Sequence, residues 1–369
     1  MSMAEGDLLH VVEAGEVPPG RRLAGRVLFW GASLLLIGIV IAQALDPQTE
    51  TERWFANWRP TLYAYLFWAF ALCLSQVLIR GEPAMKNLFV LPAALFTVSV
   101  VIFPLVFGVS IALSNWNLSS LNGRQFNGLD NFRQMLDDPF YWNAMKNMVW
   151  YTLAVVVEYA IAFGLALLLN AQIRGRRLFR VIFLMPLMLS PVAVSWMIGK
   201  SLMEYRFGPA ARFARWLGWE KPAFFTDPEI ARLSIMVLDA WTWIPLMMII
   251  LLAGLQALPK EVLEAAEVDG ATGWQRFRRI VFPLMLPVSL TALLIRIIFK
   301  LKLADIIITV TSGGPGGATD SVTSFIYREY RDRSNVGYGT MLAFVYLIII
   351  VVAVTLFINW TSRYMRRMT

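Results

Sequence analysis

The sequence predicts an all-α, polytopic membrane protein with about eight transmembrane helices. Three observations predict it. Of 369 residues, 58% are hydrophobic and only 16% charged, and the mean hydropathy is +0.59; a soluble domain carries about 25% charged residues. The apolar residues gather into runs near the ~20 that a helix needs to cross a bilayer. Arginines gather in short segments between those runs, as Lys and Arg do in cytoplasmic loops.

Residues 1–26 read as a polar cytoplasmic tail, with Pro18, Pro19 and Gly20 ahead of Arg21 and Arg22. A first span is expected at 27–45, followed by Asp46 and Pro47 rather than by a cleavage site, so it reads as a retained helix and not a signal peptide. A second is expected at 62–79, and a third at 88–113 with Pro92 and Pro104 inside it. Proline is tolerated within a bilayer where neighbouring groups satisfy the freed carbonyls. Residues 114–147 read as a long polar loop holding two short surface helices, 130–136 and 139–145. A fourth span follows at 148–169. Arg174, Arg176, Arg177 and Arg180 then crowd a very short loop, the strongest cytoplasmic mark in the chain. The remaining spans are expected at 181–201, 233–255, 280–308 and 341–360, and Arg363, Arg366 and Arg367 close the sequence. This order puts both termini in the cytoplasm. The Arg residues within the 204–232 loop fit less well, but that loop is longer and the rule weakens with length.

Composition excludes several chemistries. The net charge of +8 has its explanation in cytoplasmic loops, and no basic cluster sits beside a soluble aromatic platform for nucleic acid. Cys73 is the only cysteine and His10 the only histidine, so an intrachain disulfide, a zinc cluster and a histidine-based catalytic site lack raw material. No Gly-x-x-x-x-Gly-Lys-Ser/Thr stretch occurs, so the chain has no P-loop of its own for ATP.

One polar island stands between the sixth and seventh expected spans. It reads Glu264-Ala265-Ala266-Glu267-Val268-Asp269-Gly270-Ala271, then continues through Phe277, Arg278, Arg279 and Ile280 to Pro283 and Pro287. Ala and Leu favour a helix up to Ala266, Gly270 ends or bends it, and Trp274, Phe277 and Ile280 recur at helical spacing. The result is a helix-turn-helix at a membrane surface, on the cytoplasmic side by the arginine count.

This pattern closely resembles the signature loop of binding-protein-dependent ABC importer permeases. Two further stretches agree in order and in side. Gly128-Leu129-Asp130-Asn131-Phe132, with Asp138-Pro139 and Asn147 beyond it, resembles the region after the first core span of the carbohydrate-uptake branch. Thr311-Ser312-Gly313-Gly314-Pro315, followed by Ala318-Thr319 and Tyr327, resembles that branch's external loop. The resemblance covers residues 88–369 and implies a six-helix type I importer core there. It leaves 27–87 as two additional N-terminal helices.

The resemblance implies a subunit of a bacterial inner-membrane importer rather than a complete machine or an enzyme. Its partners would be a second permease chain, an ATPase dimer that alone binds ATP and Mg, and a periplasmic or extracellular solute-binding protein. The loop at 257–283 would be the coupling helix seated in the ATPase, through Glu264, Ala265, Ala266, Asp269 and Gly270. Gly313, Gly314 and Pro315 would meet the binding protein. Alternating access, driven by ATP hydrolysis on the partner, would be the mechanism.

Charges inside the spans are the remaining signal: Glu158, Lys200, Asp239, Arg296, Lys300 and Lys302. Each costs about 2.5–3.5 kcal/mol even on lenient insertion scales unless it is paired or wet. Carried over from the family, the substrate pathway would fall on Asp239, Thr242, Trp243, Leu246, Arg296 and Lys300. Trp243 would stack on a sugar ring while Asp239 and Thr242 take hydroxyls. Arg296 and Lys300 depart from a neutral-sugar pattern and point to an acidic solute such as a uronate, sulfonated sugar or glycerol phosphate, with a polyol also open. The competing reading of the same residues is an internal ion pair, Asp239 with Arg296 or Glu158 with Lys300. Lys302 reads as structural beside Asp305, and Lys200 as reaching for the interface. The alternative function is a proton-coupled secondary transporter with Glu158 or Asp239 as the relay.

Overall fold

The computed structural model describes residues 18–44, 59–81, 86–121 and 123–366. Most of the expected tail, His10, Asn122 and Arg367 lie outside the described residues. Seven described stretches are long and apolar enough to cross a bilayer: Pro19–Gln43, Arg59–Arg80, Phe89–Ala112, Pro139–Asn170, Pro228–Gln256, Gly273–Val310 and Val336–Arg363. Two further pieces, Arg176–Met188 and Pro191–Leu202, meet at 98° and count as an eighth candidate crossing only when taken together as one broken span. Among the described residues the regular structure is helical apart from one pair of two-residue strands, β1 (Ser114–Asn115) against antiparallel β2 (Gln125–Phe126).

Contacts divide the chain into two units, one ending at Gly108 and one beginning at Val109. The first holds α1 (Pro19–Ala44), α2 (Arg59–Arg80) and α3 (Lys86–Thr97). Trp68 Nε1 donates to Ser33 Oγ at 3.0 Å, tying α2 to α1, and Thr61 donates to Gln43. Past α3 the helix widens into a π-turn, Val98–Ile102, before α4 (Phe103–Ala112). The Phe103 amide bonds back to Val98 O, five residues away. Pro104 follows at once and has no amide to offer, so a local change of ladder there has a cause.

The second unit is a bundle of long helices. They are α6 (Pro139–Asn170), α10 (Pro228–Gln256), α13 (Phe282–Leu301) and α16 (Val336–Arg366), with α5 (Asp130–Asp137) beside the entry to α6. Two sequence expectations are corrected here. Residues 139–145 are not a separate surface helix but the first two turns of α6. Asp138 caps that helix, accepting from Phe140 N at 2.9 Å and Tyr141 N at 3.4 Å, and Pro139 occupies the first helical position. The fifth span is not a straight rod over 181–201. α7 (Arg176–Leu184) runs into a 3₁₀ turn, Met185–Met188, and the chain then breaks. Pro191 biases Ser190 toward extended backbone, and the Ser190 hydroxyl caps a new helix by accepting from Ala193 N at 3.2 Å. That new piece is α8 (Pro191–Val194), which continues as a π-helix, Ser195–Leu202. α9 (Pro209–Trp216) follows in the next loop.

Two apolar cores fill the second unit. One joins Tyr141, Met148 and Tyr151 of α6 to Ile235 and Leu238 of α10 and to Tyr338 and Leu342 of α16. It also takes Ile306 and Ile307 of α14 (Asp305–Val310) and Phe325 of α15 (Val322–Arg331). The other joins Phe163 and Leu169 of α6 to Met247, Leu251 and Leu255 of α10 and to Met285 of α13. Between these two cores, at Glu158, Asp239 and Arg296, the packing turns ionic.

Candidate functional site

Glu158 on α6, Asp239 on α10, and Arg296 and Lys300 on α13 converge in the interior of the second unit. Arg296 and Lys300 lie four residues apart, so they share one face of α13. Arg296 Nε donates to Glu158 Oε2 at 2.6 Å and Lys300 Nζ to Glu158 Oε1 at 2.8 Å. Asp239 Oδ2 accepts from Arg296 Nη2 and also from Lys300 Nζ. All four side chains are at most 3% exposed. Two cations and two carboxylates make the box neutral, which is how buried charge becomes tolerable. Both internal pairings open in the sequence are therefore present together. Glu158, named there only as an intramembrane charge, is a full member; helical spacing on a single helix carries no sign of a partner on another.

The box has one open valence. Arg296 Nη1 is buried and has no hydrogen-bond partner among the described residues. The Trp243 ring lies 5.9 Å from the Arg296 guanidinium and stacks on Phe299 at 4.7 Å between centroids. Trp243 and Leu246 are half-buried, whereas Thr242 is buried with its hydroxyl donating to Leu238 O at 2.9 Å. So the six residues of the expected pathway are brought together on two adjacent helices. Only Trp243 and Leu246 present surface, and the charged members face one another. Lys302 and Asp305 are both exposed and form no ion pair among the described residues. Lys200 is exposed at the end of its π-helix.

One end of the bundle carries the polar island. α11 (Lys260–Val268) stops at Asp269, and Gly270 turns with φ +72°, a left-handed conformation that glycine adopts without strain. The Gly270 and Ala271 amides bond back to Glu267 O and Ala266 O, at 3.0 Å each. Thr272 then opens α12 (Gly273–Arg276) with a reciprocal capping box to Gln275. Arg276 and Glu267 pair across the turn. Ala266 is buried, while Glu264, Ala265, Asp269 and Gly270 are exposed. Glu264 lines a cavity of about 460 Å³ shared with Leu167, Leu255 and Phe277.

The opposite end carries the glycine-rich loop, and α6 grips it by its carbonyls. Asn143 Nδ2 donates to Gly317 O at 2.7 Å, Asn147 Nδ2 to Ala318 O at 2.9 Å and Asp320 O at 3.0 Å, and Tyr151 Oη to Thr319 O at 2.8 Å. The Gly313 position has φ +82°, and a Cβ there would lie 2.2 Å from Asp320 Oδ1. Arg328 pairs with Asp320, and Ser324 donates to it at 3.0 Å. Burial pushes the Asp320 carboxyl above the usual range, and the Arg328 guanidinium opposes that shift. Gly313 is buried, Gly314 and Pro315 are half-buried, and Gly316 is exposed. This clamp was not read from the sequence beyond Asn147, because Asn143 and Tyr151 are ordinary helix residues until the loop's carbonyls arrive beside them. Among the described residues no group of His, Cys, Asp and Glu could hold a metal ion.

Residues 158–367 match the family described as the binding-protein-dependent transport system inner membrane component. The chain belongs to this family of permeases. Its match begins at Glu158, the α6 member of the box, and includes all of α10, the polar island and α13. The sulfoquinovosyl glycerol transport system permease protein SmoG of Agrobacterium fabrum is 32% identical over 266 residues, covering 72% of this chain and 86% of that one. The trehalose/maltose transport system permease protein MalF of Thermococcus litoralis is 30% identical over 278 residues, covering 75% and 93%. A bacterial ABC transporter involved in the import of the acidic polysaccharide alginate has a chain of the same fold. Its TM-score is 0.66 at 22% identity, with 76% of this chain and 95% of that one covered. The permease is thus of the ABC carbohydrate-uptake type: a multi-pass inner membrane component and not itself the ATPase.

Proposed function

We propose that this permease forms one half of a translocation pathway for a sugar-like solute, in an importer powered by a separate ATPase dimer and fed by a solute-binding protein. One observation carries the reading. The 257–283 loop joins α10 directly to α13, and these two helices, together with α6, hold the charge box. A displacement of that loop moves Asp239 against Arg296 and Lys300, so work done at one end of the bundle reaches its centre. ATP and Mg belong to the partner ATPase, with Glu264, Ala265, Ala266, Asp269 and Gly270 as its seat. Gly313, Gly314 and Pro315 belong to the binding protein's seat, a second permease chain completes the pathway, and both termini lie in the cytoplasm.

Trp243 and Leu246 offer the solute an apolar platform. Arg296 Nη1 behind them offers the one unspent donor, which a sugar hydroxyl would satisfy without upsetting the neutral box. Glu158 and Asp239 hold that guanidinium in place, and Lys300 bonds to both of those carboxylates. An acidic sugar is the second reading, favoured by the same Nη1 atom and by the relative that carries sulfoquinovosyl glycerol. Its charge would exchange against Glu158 or Asp239.

Uptake of labelled solute into proteoliposomes containing the whole complex tests the coupling. Glu264→Arg is expected to leave the permease in the membrane while abolishing ATP-dependent uptake and uncoupling the ATPase. Undiminished uptake, or uptake that follows a proton gradient without ATP, would sink the proposal. Titration of the cognate binding protein with neutral and acidic sugars separates the two solute readings.

A further inference from the structure

A second site is built where α7 crosses the end of α10. α7 begins with arginines at its first two helical positions, Arg176 and Arg177, and has no acidic residue in its first turn. Positive charge at a helix N-terminus opposes the macrodipole, and like charges at i and i+4, here Arg176 and Arg180, repel. No carboxylate among the described residues relieves either term, because none of the ion pairs includes Arg174, Arg176, Arg177 or Arg180. Instead, two guanidiniums converge on one neutral amide. In the orientation that satisfies both, Gln256 accepts from Arg176 Nη2 at 3.1 Å and from Arg180 Nη2 at 2.8 Å. Arg180 Nε beside them is buried and has no hydrogen-bond partner among the described residues. Converging cations without a counter-charge are a place for an anion.

The rest of α7 says which kind. None of its residues is buried, and Leu178 and Val181 are 63% and 61% exposed, as is Met185 (57%) in the turn that follows. The piece carrying it meets the following one at 98°, so the two cannot both run along the membrane normal. A short helix with a basic start and an apolar flank is suited to the bilayer interface. A soluble phosphate would leave that flank bare, whereas a lipid covers it.

We propose that Arg176, Arg180 and Gln256 bind the phosphate of an anionic phospholipid, its acyl chains covering Leu178 and Val181. Gln256 is the last residue of α10, immediately before the coupling loop, so the lipid sits at the root of that loop. The proposal rests on the family assignment only for the presence of a bilayer.

Native mass spectrometry of the detergent-extracted transporter complex, titrated with phosphatidylglycerol or phosphatidylcholine, tests it without any transport assay. Wild type is expected to retain phosphatidylglycerol in preference. Arg176→Gln with Arg180→Gln is expected to weaken that retention about thirty-fold, which corresponds to about 1 kcal/mol for each arginine lost. Arg206→Gln with Arg212→Gln removes the same charge at the far end of the bundle and is expected to change nothing. Equal loss in both double variants would reduce the effect to net charge and overturn the site. Displacement of the lipid by millimolar inorganic phosphate would make it a soluble-anion site. Should the α7 double variant fail to assemble, Leu178→Cys in the native background decides: labelling by a lipid-phase maleimide supports the lipid, and cross-linking to a second permease chain overturns it.

Discussion

Arg296 shows what a single buried cation costs and what holds it. Its guanidinium spends Nε on Glu158 and Nη2 on Asp239, and Lys300 bonds to both of those carboxylates. Removing Arg296 alone strands two carboxylates with one ammonium. Breaking a buried pair in this way costs about 3–5 kcal/mol, so Arg296→Met is expected to lose most of its folded yield, measured by detergent-solubilised chromatography and melting temperature. Neutralising one charge of each sign, with Glu158→Gln and Lys300→Met, keeps the box balanced. That pair is expected to recover most of the loss of either single variant, and additive single-variant losses would argue against a shared network. Asp320 offers a pH-dependent test. Its carboxyl is raised by burial, so its stabilising contribution is fully present below the unfolded value of about 3.9 and is lost as pH rises through the folded one. Asp320→Asn is expected to flatten the dependence of melting temperature on pH in that window.

At the scale of elements, α6 is the shaft of the second unit. Asn143, Asn147 and Tyr151 grip the glycine-rich loop at one end, and Glu158 joins the charge box two turns beyond Tyr151. The grip depends on Gly313, where any side chain combines a left-handed backbone with a clash into Asp320. Gly313→Ala is expected to cost about 1–3 kcal/mol, read as a lower melting temperature and faster proteolysis at 311–321, with α6 and α10 remaining folded. The polar island contrasts with it. Nothing lies within 4 Å of a Cβ built on Gly270, so Gly270→Asp pays only the local backbone term. It is therefore expected to leave stability within about 1 kcal/mol of wild type while abolishing uptake by the complex. A defect with normal stability would locate the loss at a partner's surface.

At the scale of the whole molecule, the two helices that carry Asp239, Arg296 and Lys300 are also those that frame the polar island, and the long α6 reaches from that end to the glycine-rich loop. A push at 257–283 is thus expected to be felt at 311–321. Hydrogen exchange of the intact complex, with and without a non-hydrolysable ATP analogue, measures this. The expected outcome is altered protection at both loops together. A change confined to the island would mean that the charge box yields instead of transmitting.

The sequence by itself determined the class, the near count of spans and the family. Hydropathy over twenty residues, arginine bias and three spaced motifs are local signals, and each survives without knowledge of any neighbour. It also determined the helix-turn-helix of the polar island, because Gly270, Thr272 and Gln275 act within a few residues of one another. Only tertiary structure decided that Glu158, Asp239, Arg296 and Lys300 satisfy one another, since the choice between an ion pair and a solute ligand depends on how three helices are rotated. It likewise decided that α6 starts at Pro139, through the Asp138 cap, and that the fifth crossing breaks at Ser190. Proline in an apolar run is compatible with a mild kink or a full break, and the packing of α7 across the end of α10 selects the break.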